Sequence, residues 1–482
     1  MVRRVVIGIV IGAATLAAGG CAVNPVTGER QLALISEDQE IALGRDSAQQ
    51  ISQTLAPVAD DELQQYVAGL GQSLAAMSER PELPWSFQVV DDATPNAFAL
   101  PGGFIFVTRG LLALMDSEAE LAGVLGHEIG HVTARHSVVQ LSRQQLAQLG
   151  LGLGIVLSPE LARFGDLASA GLNLLFLSYG RNDERQADEL GFGYMLDLGY
   201  DVEQMAEVFQ ALQRSGELAG ASPLPSWLAS HPSEPERIDA ARERVAALPQ
   251  PQTDPRVGRE DFLARIDGIV YGSDPRAGYF ADGVFYHPEL AFQLAVPADW
   301  RRQNLSNMVV AASEANDAAM QLTLVPARSA EDAARQFASQ QNLQVAAAAT
   351  ERLNGNPAVV SRFRAATGNG GTVAGYAAHI EHGGRVYQVL AYAAEARFDG
   401  YARGLEQLVG SFAPLTDRER LAVEARRIEI VELDRAMSFE EFMRRYPSSI
   451  DAAELAVLNQ IEDPARELAA GRLMKRIVGG PA

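Results

Sequence analysis

The sequence has a single cysteine, Cys21, so no disulfide can form within the chain. The apolar run near the amino terminus is shorter than the ~20 residues that a membrane-spanning helix needs. Lys and Arg number 40 against 61 Asp and Glu, and the net charge of −21 argues against a nucleic-acid partner. With 482 residues, of which 47% are hydrophobic, the chain is long enough for more than one globular domain.

The amino terminus has the form of a signal peptide: a basic start, an apolar run, and small residues that lead to Cys21. A cysteine at this place resembles a bacterial lipoprotein signal, which implies that residues 1–20 are removed and that Cys21 is lipidated. Ala18 stands where such signals usually have Leu, so an ordinary signal peptide or an uncleaved anchor is the alternative. By the same resemblance, Ala22 favours the outer membrane.

A zinc-binding pattern lies within the apolar residues 121–136, where His127, Glu128 and His131 stand in the order His-Glu-x-x-His. Residues four apart share one face of a helix, so two imidazoles can hold one zinc ion with Glu128 beside it. The alternative is an accidental match on a buried helix, so the interpretation depends on a third ligand. His136 lies well around the helix and is interpreted as a non-ligand.

Glu184 and Asp188 are the candidates to complete the site. They too are four residues apart and therefore share a helix face. A carboxylate as third ligand leaves the fourth zinc position open, which is typical of a catalytic site. Asp188, one turn on, can accept the second ring N–H of a ligand histidine. The alternative, a solvated acidic helix end, is less favoured in a chain that also has the two histidines.

His231 is a further candidate because it precedes a proline, which favours an extended backbone and an imidazole that projects from a loop. It is predicted either to donate to the oxyanion that forms on a substrate carbonyl or to act as a fourth ligand in a resting state. Alternatively, it is simply a polar residue before the helix at residues 236–247.

A substrate-binding edge is predicted just before the zinc helix. Residues 96–108 read as a strand interrupted by Pro101, and proline belongs on sheet edges. An extended peptide can pair with such an edge, here along Asn96, Phe104, Ile105 and Phe106. A plain hairpin is the alternative. Farther on, the apolar residues 146–177 predict a helical hairpin over the cleft, with membrane contact or tight core packing as alternatives.

Together, these motifs resemble the zinc metallopeptidases that include the CAAX prenyl endopeptidase and the heat-shock protease HtpX, and within them the BepA-like lipoprotein branch. The resemblance covers residues 21–247. It implies that His127, His131 and Glu184 bind one Zn2+ and that Glu128 is the general base. It places Asp188 behind the ligands and His231 beside the metal. The identity of the third ligand rests on the resemblance, since spacing alone made it only plausible.

The rest of the chain departs from that branch, which has helical repeats after the peptidase domain. Residues 249–283 are predicted to be a linker, and residues 284–414 alternate strands with two helices, which predicts an antiparallel sheet with helices on one face. This region resembles the PsbP-like fold. Residues 424–482 have a β-α-α-β pattern that resembles a LysM peptidoglycan-binding module.

The predicted fold class is therefore α+β: a signal peptide at 1–20, a helix-rich zincin-type peptidase domain with a small edge-exposed sheet at 21–248, the PsbP-like domain and the small module. The predicted function is that of a zinc endopeptidase, lipid-anchored to the outer membrane in the bacterial periplasm. Its expected substrates are misfolded or stalled envelope proteins. A latent or non-catalytic chaperone for outer-membrane assembly, or a wall-associated hydrolase that binds peptidoglycan, is the alternative.

Overall fold

The computed structural model describes residues 21–150, 179–219, 227, 231, 235–305, 307–367 and 371–480. The chain forms two compact units: the first contains Met1–Gly272 and Arg426–Val478, and the second contains Ser273–Ala425. Residues 1–20 and most of the apolar stretch at 146–177 lie outside the described part, so the signal peptide and the hairpin over the cleft stay predictions. Among the described helices, none is long and apolar enough to cross a membrane.

The helices and strands are numbered along the chain. The helices are α1 Glu37–Thr54, α2 Asp61–Ala75, α3 Arg109–Leu114, α4 Glu118–Thr133, α5 His136–Gly150, α6 Arg181–Asp197, α7 Gln204–Ala219, α8 Pro235–Ala246, α9 Arg259–Ile266, α10 Ala330–Ala338, α11 Phe398–Gly410, α12 Arg418–Leu421, α13 Phe439–Arg445 and α14 Ala452–Leu458. The strands of the first unit are β1 Cys21–Val23, β2 Arg30–Leu32, β3 Ser86–Val90, β4 Ala97–Leu100, β5 Phe104–Thr108, β17 Arg427–Glu432 and β18 Leu473–Val478. Those of the second are β6 Tyr279–Ala281, β7 Val284–His287, β8 Phe292–Ala295, β9 Arg301–Asn304, β10 Met308–Ala312, β11 Ala318–Val325, β12 Leu343–Leu353, β13 Asn356–Ala366, β14 Thr372–His382, β15 Arg385–Ala394 and β16 Ala413–Pro414.

Helix α4 is the centre of the first unit, and every one of its residues is buried. Ser117 caps its first turn, where the hydroxyl accepts a hydrogen bond from the Glu120 N–H at 3.2 Å. Gly126 and Gly130 allow α6 to approach closely, because a Cβ atom at either position would lie 3.0 Å from the backbone of Gly191 or Ala187. The two helices therefore pack backbone to backbone, and side chains on their facing sides meet.

The sheet beside α4 has the strand order β3-β5-β4. Strand β5 pairs with β3 in parallel and with β4 antiparallel, so it is the central strand. The prediction that Phe104, Ile105 and Phe106 lie on a substrate edge is therefore wrong, because both sides of their strand are already paired. The free edge next to α4 belongs to β4, which follows Asn96.

The carboxy-terminal segment Arg426–Val478 belongs to the first unit. Its order β17-α13-α14-β18 is the β-α-α-β pattern expected from the sequence, and β17 pairs antiparallel with β18. It is not a separate module, however, because its apolar side chains share one core with those of α3, α4 and α7. Helix α9, which falls within the predicted linker, packs into the same core.

The second unit contains a seven-stranded sheet of order β12-β13-β14-β15-β11-β10-β9 and a four-stranded sheet of order β16-β8-β7-β6. Successive side chains of β15 point to opposite faces. Val389 packs in one core with Leu405 of α11, whereas Leu390 packs in another with Phe337 of α10. The two helices thus cover opposite faces, and the prediction of helices on one face is wrong. The central strands are apolar on both faces, and the sequence pattern did not indicate that each face is covered by its own helix.

Candidate metal centre

Two histidines lie one turn apart on α4, facing α6. The ring centroids of His127 and His131 are 4.6 Å apart, and their Nε2 atoms are 3.0 Å apart. Both side chains are fully buried. Burial lowers the pKa of each imidazole, which favours the neutral form that binds a metal ion.

Helix α6 brings Glu184 to the same point. Its carboxylate lies 3.5 Å from Nε2 of His127 and 3.5 Å from Nε2 of His131. His231 joins them, with Nδ1 3.0 Å from Oε1 of Glu184 and 3.2 Å from Nε2 of His127. One donor atom from each of these four residues lies within 4.8 Å of the others. The structure thus brings together the three residues predicted as ligands and places His231 among them.

The donor set fits a metal ion. The Nδ1 atoms of His127 and His131 are both engaged outside the cluster, so without a cation two nitrogen lone pairs would face each other across 3.0 Å. Within the described part of the chain, both carboxylate oxygens of Glu128 are buried without a hydrogen-bond partner. Imidazole nitrogens with one carboxylate oxygen are ligands that zinc prefers.

Asp188 and Arg237 lie behind His127. Oδ1 of Asp188 is 2.9 Å from Nδ1 of His127, and Arg237 donates to both oxygens of Asp188, from Nε at 2.9 Å and from Nη2 at 2.6 Å. Burial raises the pKa of Asp188, but the Arg237 guanidinium and the His127 hydrogen bond outweigh it and hold this pKa below its usual value. The ionised carboxylate therefore accepts the Nδ1–H of His127 and leaves Nε2 free for a metal ion.

Glu128 lies next to the cluster without joining it. Its Oε1 is 3.5 Å from Nε2 of His231. Burial raises the pKa of Glu128 to about 7, opposed by His231 and by the backbone amide of Ala99. A carboxyl group with a pKa near neutrality is suited both to take up and to release a proton.

Arg237 was not predicted from the sequence, although two buried carboxylates on one face of α6 imply a nearby cation. Its Nη1 also lies 3.0 Å from Oε2 of Glu184. Tyr179 was missed as well: its ring stacks on His131 at 4.0 Å. His136, predicted as a non-ligand, lies outside the group of four, but its Nδ1 is 2.9 Å from Nδ1 of His131.

The sequence profile of peptidase family M48 matches residues 61–245, which include all four residues of the cluster. The chain carries an M48 peptidase domain. The predicted resemblance to this group of metallopeptidases is thereby confirmed.

Named relatives of the M48 domain come from bacteria and from mitochondria. The beta-barrel assembly-enhancing protease of Yersinia pestis is 31% identical over 261 residues, which are 52% of this chain and 52% of that protein. The mitochondrial metalloendopeptidase OMA1 of Schizosaccharomyces pombe is 29% identical over 233 residues, which are 45% of this chain and 65% of that protein. The chain spans about half the length of the bacterial curated relatives it matches.

Among solved structures, the solution structure of cyanobacterial PsbP from Synechocystis matches 27% of this chain and 91% of that chain. The sequence identity is 16% and the TM-score is 0.24.

Proposed function

We propose that this protein is a zinc-dependent endopeptidase that is lipid-anchored in the bacterial periplasm and cleaves envelope proteins. One observation carries the proposal: three ligand side chains converge on one point, and the buried carboxyl group of Glu128 stands beside them without a hydrogen-bond partner among the described residues. Three protein ligands with an adjacent carboxylate are typical of a hydrolytic metal site.

Zinc, when bound, would supply a Lewis acid that lowers the pKa of a water molecule and polarises the scissile carbonyl. His127, His131 and Glu184 would hold the ion, and the Asp188–Arg237 pair would keep His127 in the required tautomer. Glu128 takes the proton of the attacking water as the new C–O bond forms. It then gives this proton to the amide nitrogen as the C–N bond breaks.

The substrate is proposed to bind along β4. The Thr108 N–H donates to the Asn96 carbonyl at 2.9 Å, so the alternation of an antiparallel pair turns the N–H and C=O groups of Ala97 and Ala99 away from β5. The Ala99 amide lies close enough to Glu128 to lower its pKa, which indicates that this edge faces the catalytic carboxylate. Asn96 stays a candidate contact, since its buried Oδ1 has no hydrogen-bond partner in the described residues. An extended peptide paired here would present its backbone to the metal centre.

His231 gives specific support to a second candidate, a latent protease or non-catalytic chaperone. Its Nδ1 lies as close to Glu184 and His127 as a fourth ligand would, and its ring stacks on Trp227 at 4.3 Å. In this arrangement His231 would act as a fourth protein ligand, at the position that a catalytic site keeps for water. In an open arrangement the same imidazole could donate to the substrate oxyanion.

The lipid anchor is proposed from the basic, apolar and small residues that precede Cys21 in the order of a lipoprotein signal. Envelope proteins are proposed as substrates because relatives are named as beta-barrel assembly-enhancing proteases. Incorporation of labelled palmitate, abolished by Cys21→Ser, would support the anchor. Labelling that persists in that variant would contradict it. Peptidoglycan binding is not proposed, because the segment expected to provide it has its apolar side chains in the core of the first unit.

Cleavage of casein by the protein without residues 1–20 tests the main proposal. The wild type should cleave in a chelator-sensitive manner. Glu128→Gln should retain zinc and lose at least about a hundredfold in rate, because it cannot accept the proton. Glu184→Gln should lose zinc as well as activity.

The outcomes separate the candidates. Equal, chelator-insensitive cleavage by the wild type and Glu128→Gln would rule out the mechanism. If neither cleaves although both bind zinc, His231→Ala distinguishes the remaining cases. Cleavage that appears in this variant indicates latency, and continued inactivity indicates a scaffold.

A further inference from the structure

The chain makes an unusual turn immediately after the metal-binding helix. Arg135 has a φ of 61°, a left-handed conformation that side-chain-bearing residues rarely adopt. The helix ends with the Ala134 N–H donating to the Gly130 carbonyl at 2.9 Å, and α5 begins at the next residue after the turn, His136. Because Arg135 is not a glycine, contacts outside the turn must hold this conformation.

Glu40 of α1 provides those contacts. Its side chain is 1% exposed, and its Oε2 accepts a hydrogen bond from Nε of Arg135 at 2.8 Å. Nη2 of Arg135 also donates to the carbonyl of Ile35 at 3.0 Å. The second oxygen of Glu40 accepts from Arg80 at 2.9 Å, and Arg80 in turn donates to the Val132 carbonyl of α4 at 3.1 Å. The end of the metal-binding helix is thus tied to the segment at residues 35–40 by buried, charge-assisted hydrogen bonds.

The turn places His136 against a proposed metal ligand. Nδ1 of His136 is 2.9 Å from Nδ1 of His131, and Nε2 of His136 is 3.0 Å from Oε1 of Gln186 on α6. Since the Gln186 oxygen only accepts, a neutral His136 carries its proton on Nε2. Its Nδ1 is then an acceptor, so His131 must donate from Nδ1. The lone pair on Nε2 of His131 is left to face His127, Glu184 and His231.

We propose that Glu40, Arg135 and His136 form a positioning relay for the metal centre. Glu40 holds the left-handed turn at Arg135, the turn brings His136 to Nδ1 of His131, and His136 keeps this ligand in the metal-binding tautomer. The role is the counterpart of Asp188 behind His127, but here the partner is a neutral imidazole. The proposal rests on the metal-binding part of the proposed function and is independent of whether the protein cleaves peptides.

Substitution of His136 tests the last link, with zinc affinity measured by competition with a chromophoric chelator. His136→Leu should weaken zinc binding about 10- to 100-fold, the effect expected for loss of a partner of a ligand histidine. His136→Asn should stay within about threefold of the wild type, because the Asn Oδ1 takes the place of the histidine Nδ1 as acceptor. Nitrogen NMR of 15N-histidine-labelled protein adds a readout that packing alone would not move. The chain has seven histidines, so the signal of the His131 Nδ1 can be assigned. It should show a single tautomer, protonated on Nδ1, in the wild type and a mixture of tautomers in His136→Leu.

Glu40 and Arg135 test the first link. Glu40→Gln should weaken zinc binding, and adding Arg135→Gly should restore most of it, since glycine adopts a positive φ without external contacts. A zinc affinity of His136→Leu equal to that of the wild type would overturn the relay, as would an Asn variant as weak as the Leu variant. If His136→Leu fails to fold, the Asn variant and the Glu40 pair still decide. Zinc affinities in the expected order, with no casein cleavage by the wild type or by His231→Ala, would leave the relay standing and refute the protease.

Discussion

The side chain of Lys475 is fully buried. It lies in space beside the residues that precede α4. Its Nζ donates to the carbonyl oxygens of Ala113 at 2.9 Å and Met115 at 2.7 Å, and lies 2.9 Å from Oδ1 of Asp116. The Asp116 N–H donates to Oε2 of Glu120 at 2.7 Å. A buried network of one cation and two carboxyl groups therefore fixes the start of α4, and Arg259 adds a second cation at Asp116.

Glu120→Gln is expected to remove a pH-dependence of stability. Burial, and then the neighbouring Asp116, raise the pKa of Glu120 to about 8, whereas in the unfolded chain it is ~4.3. Between these values the folded protein keeps a proton that the unfolded chain releases. Stability from this group therefore falls as pH rises, by up to about 1.4 kcal/mol per pH unit, and levels off above the folded pKa. The Gln variant keeps the oxygen that accepts from Asp116 but has no such proton.

Urea unfolding of the wild type and Glu120→Gln across this pH range measures the effect. The variant should gain in unfolding free energy relative to the wild type as pH rises. Parallel pH profiles of the two proteins would show that Glu120 titrates normally in the fold.

At the residue scale, the sequence indicated the side chains that recur at helical spacing and missed those brought by distant segments. His127 and His131 share a face of one helix, so their meeting follows from local periodicity. Arg237 reaches Asp188 from a different helix, and its role depends on how α8 packs. The contact between His136 and His131 was also missed, since it depends on the left-handed turn at Arg135, which no helical spacing predicts.

At the element scale, the free edge of the small sheet belongs to β4. Gly102 and Gly103 have φ values of 80° and 100°, and they form the turn that joins β4 to β5. The proline before them therefore marks a turn between two strands and not an edge strand. Strand β5 became central because β3 pairs on its other side, a long-range pairing that composition does not reveal.

Ala99→Pro is expected to weaken substrate binding and leave zinc content unchanged. Proline has no N–H, so the outward-facing backbone donor beside Glu128 would be lost while the paired side of β4 is kept. Loss of one such hydrogen bond should lower kcat/KM about tenfold, mainly through a higher KM. Peptide cleavage kinetics alongside metal analysis test this.

Ala99→Gly is the matched control, because it changes the side chain and retains the backbone N–H. A metal-loaded Ala99→Pro protein with the KM of the wild type would mean that substrates bind elsewhere than β4.

At the scale of the whole molecule, the second unit is inserted between two parts of the first. The Tyr271 N–H donates to the Arg426 carbonyl at 2.8 Å, so the chain leaves and re-enters the first unit at neighbouring points. The secondary structure of the second unit and of residues 426–478 was largely predictable from periodicity. The domain boundary was not, because nothing local shows that the apolar residues of β17 and β18 belong to the same core as those of α3 and α4.

Removal of residues 273–425, with a short Gly-Ser link between Gly272 and Arg426, is expected to leave a folded protein that binds zinc. Removal of residues 426–478 should instead prevent folding of the first unit. It takes away Lys475 and the side chains that fill its core, and loss of one partner of a buried ion pair alone costs about 3–5 kcal/mol. Circular dichroism and zinc content of the two deletions test the contrast. Normal zinc binding by the protein without residues 426–478 would show that this segment is dispensable.

Because the chain returns to the first unit after the second, the two parts of the first unit are synthesised at different times. During synthesis, residues 426–478 follow the whole second unit, so α4 exists for a period without Lys475 and without the core that covers its first turn. We expect a nascent chain to have no hydrolytic activity until this segment has been synthesised. Such a delay would separate the synthesis of the protein from the onset of the proposed activity.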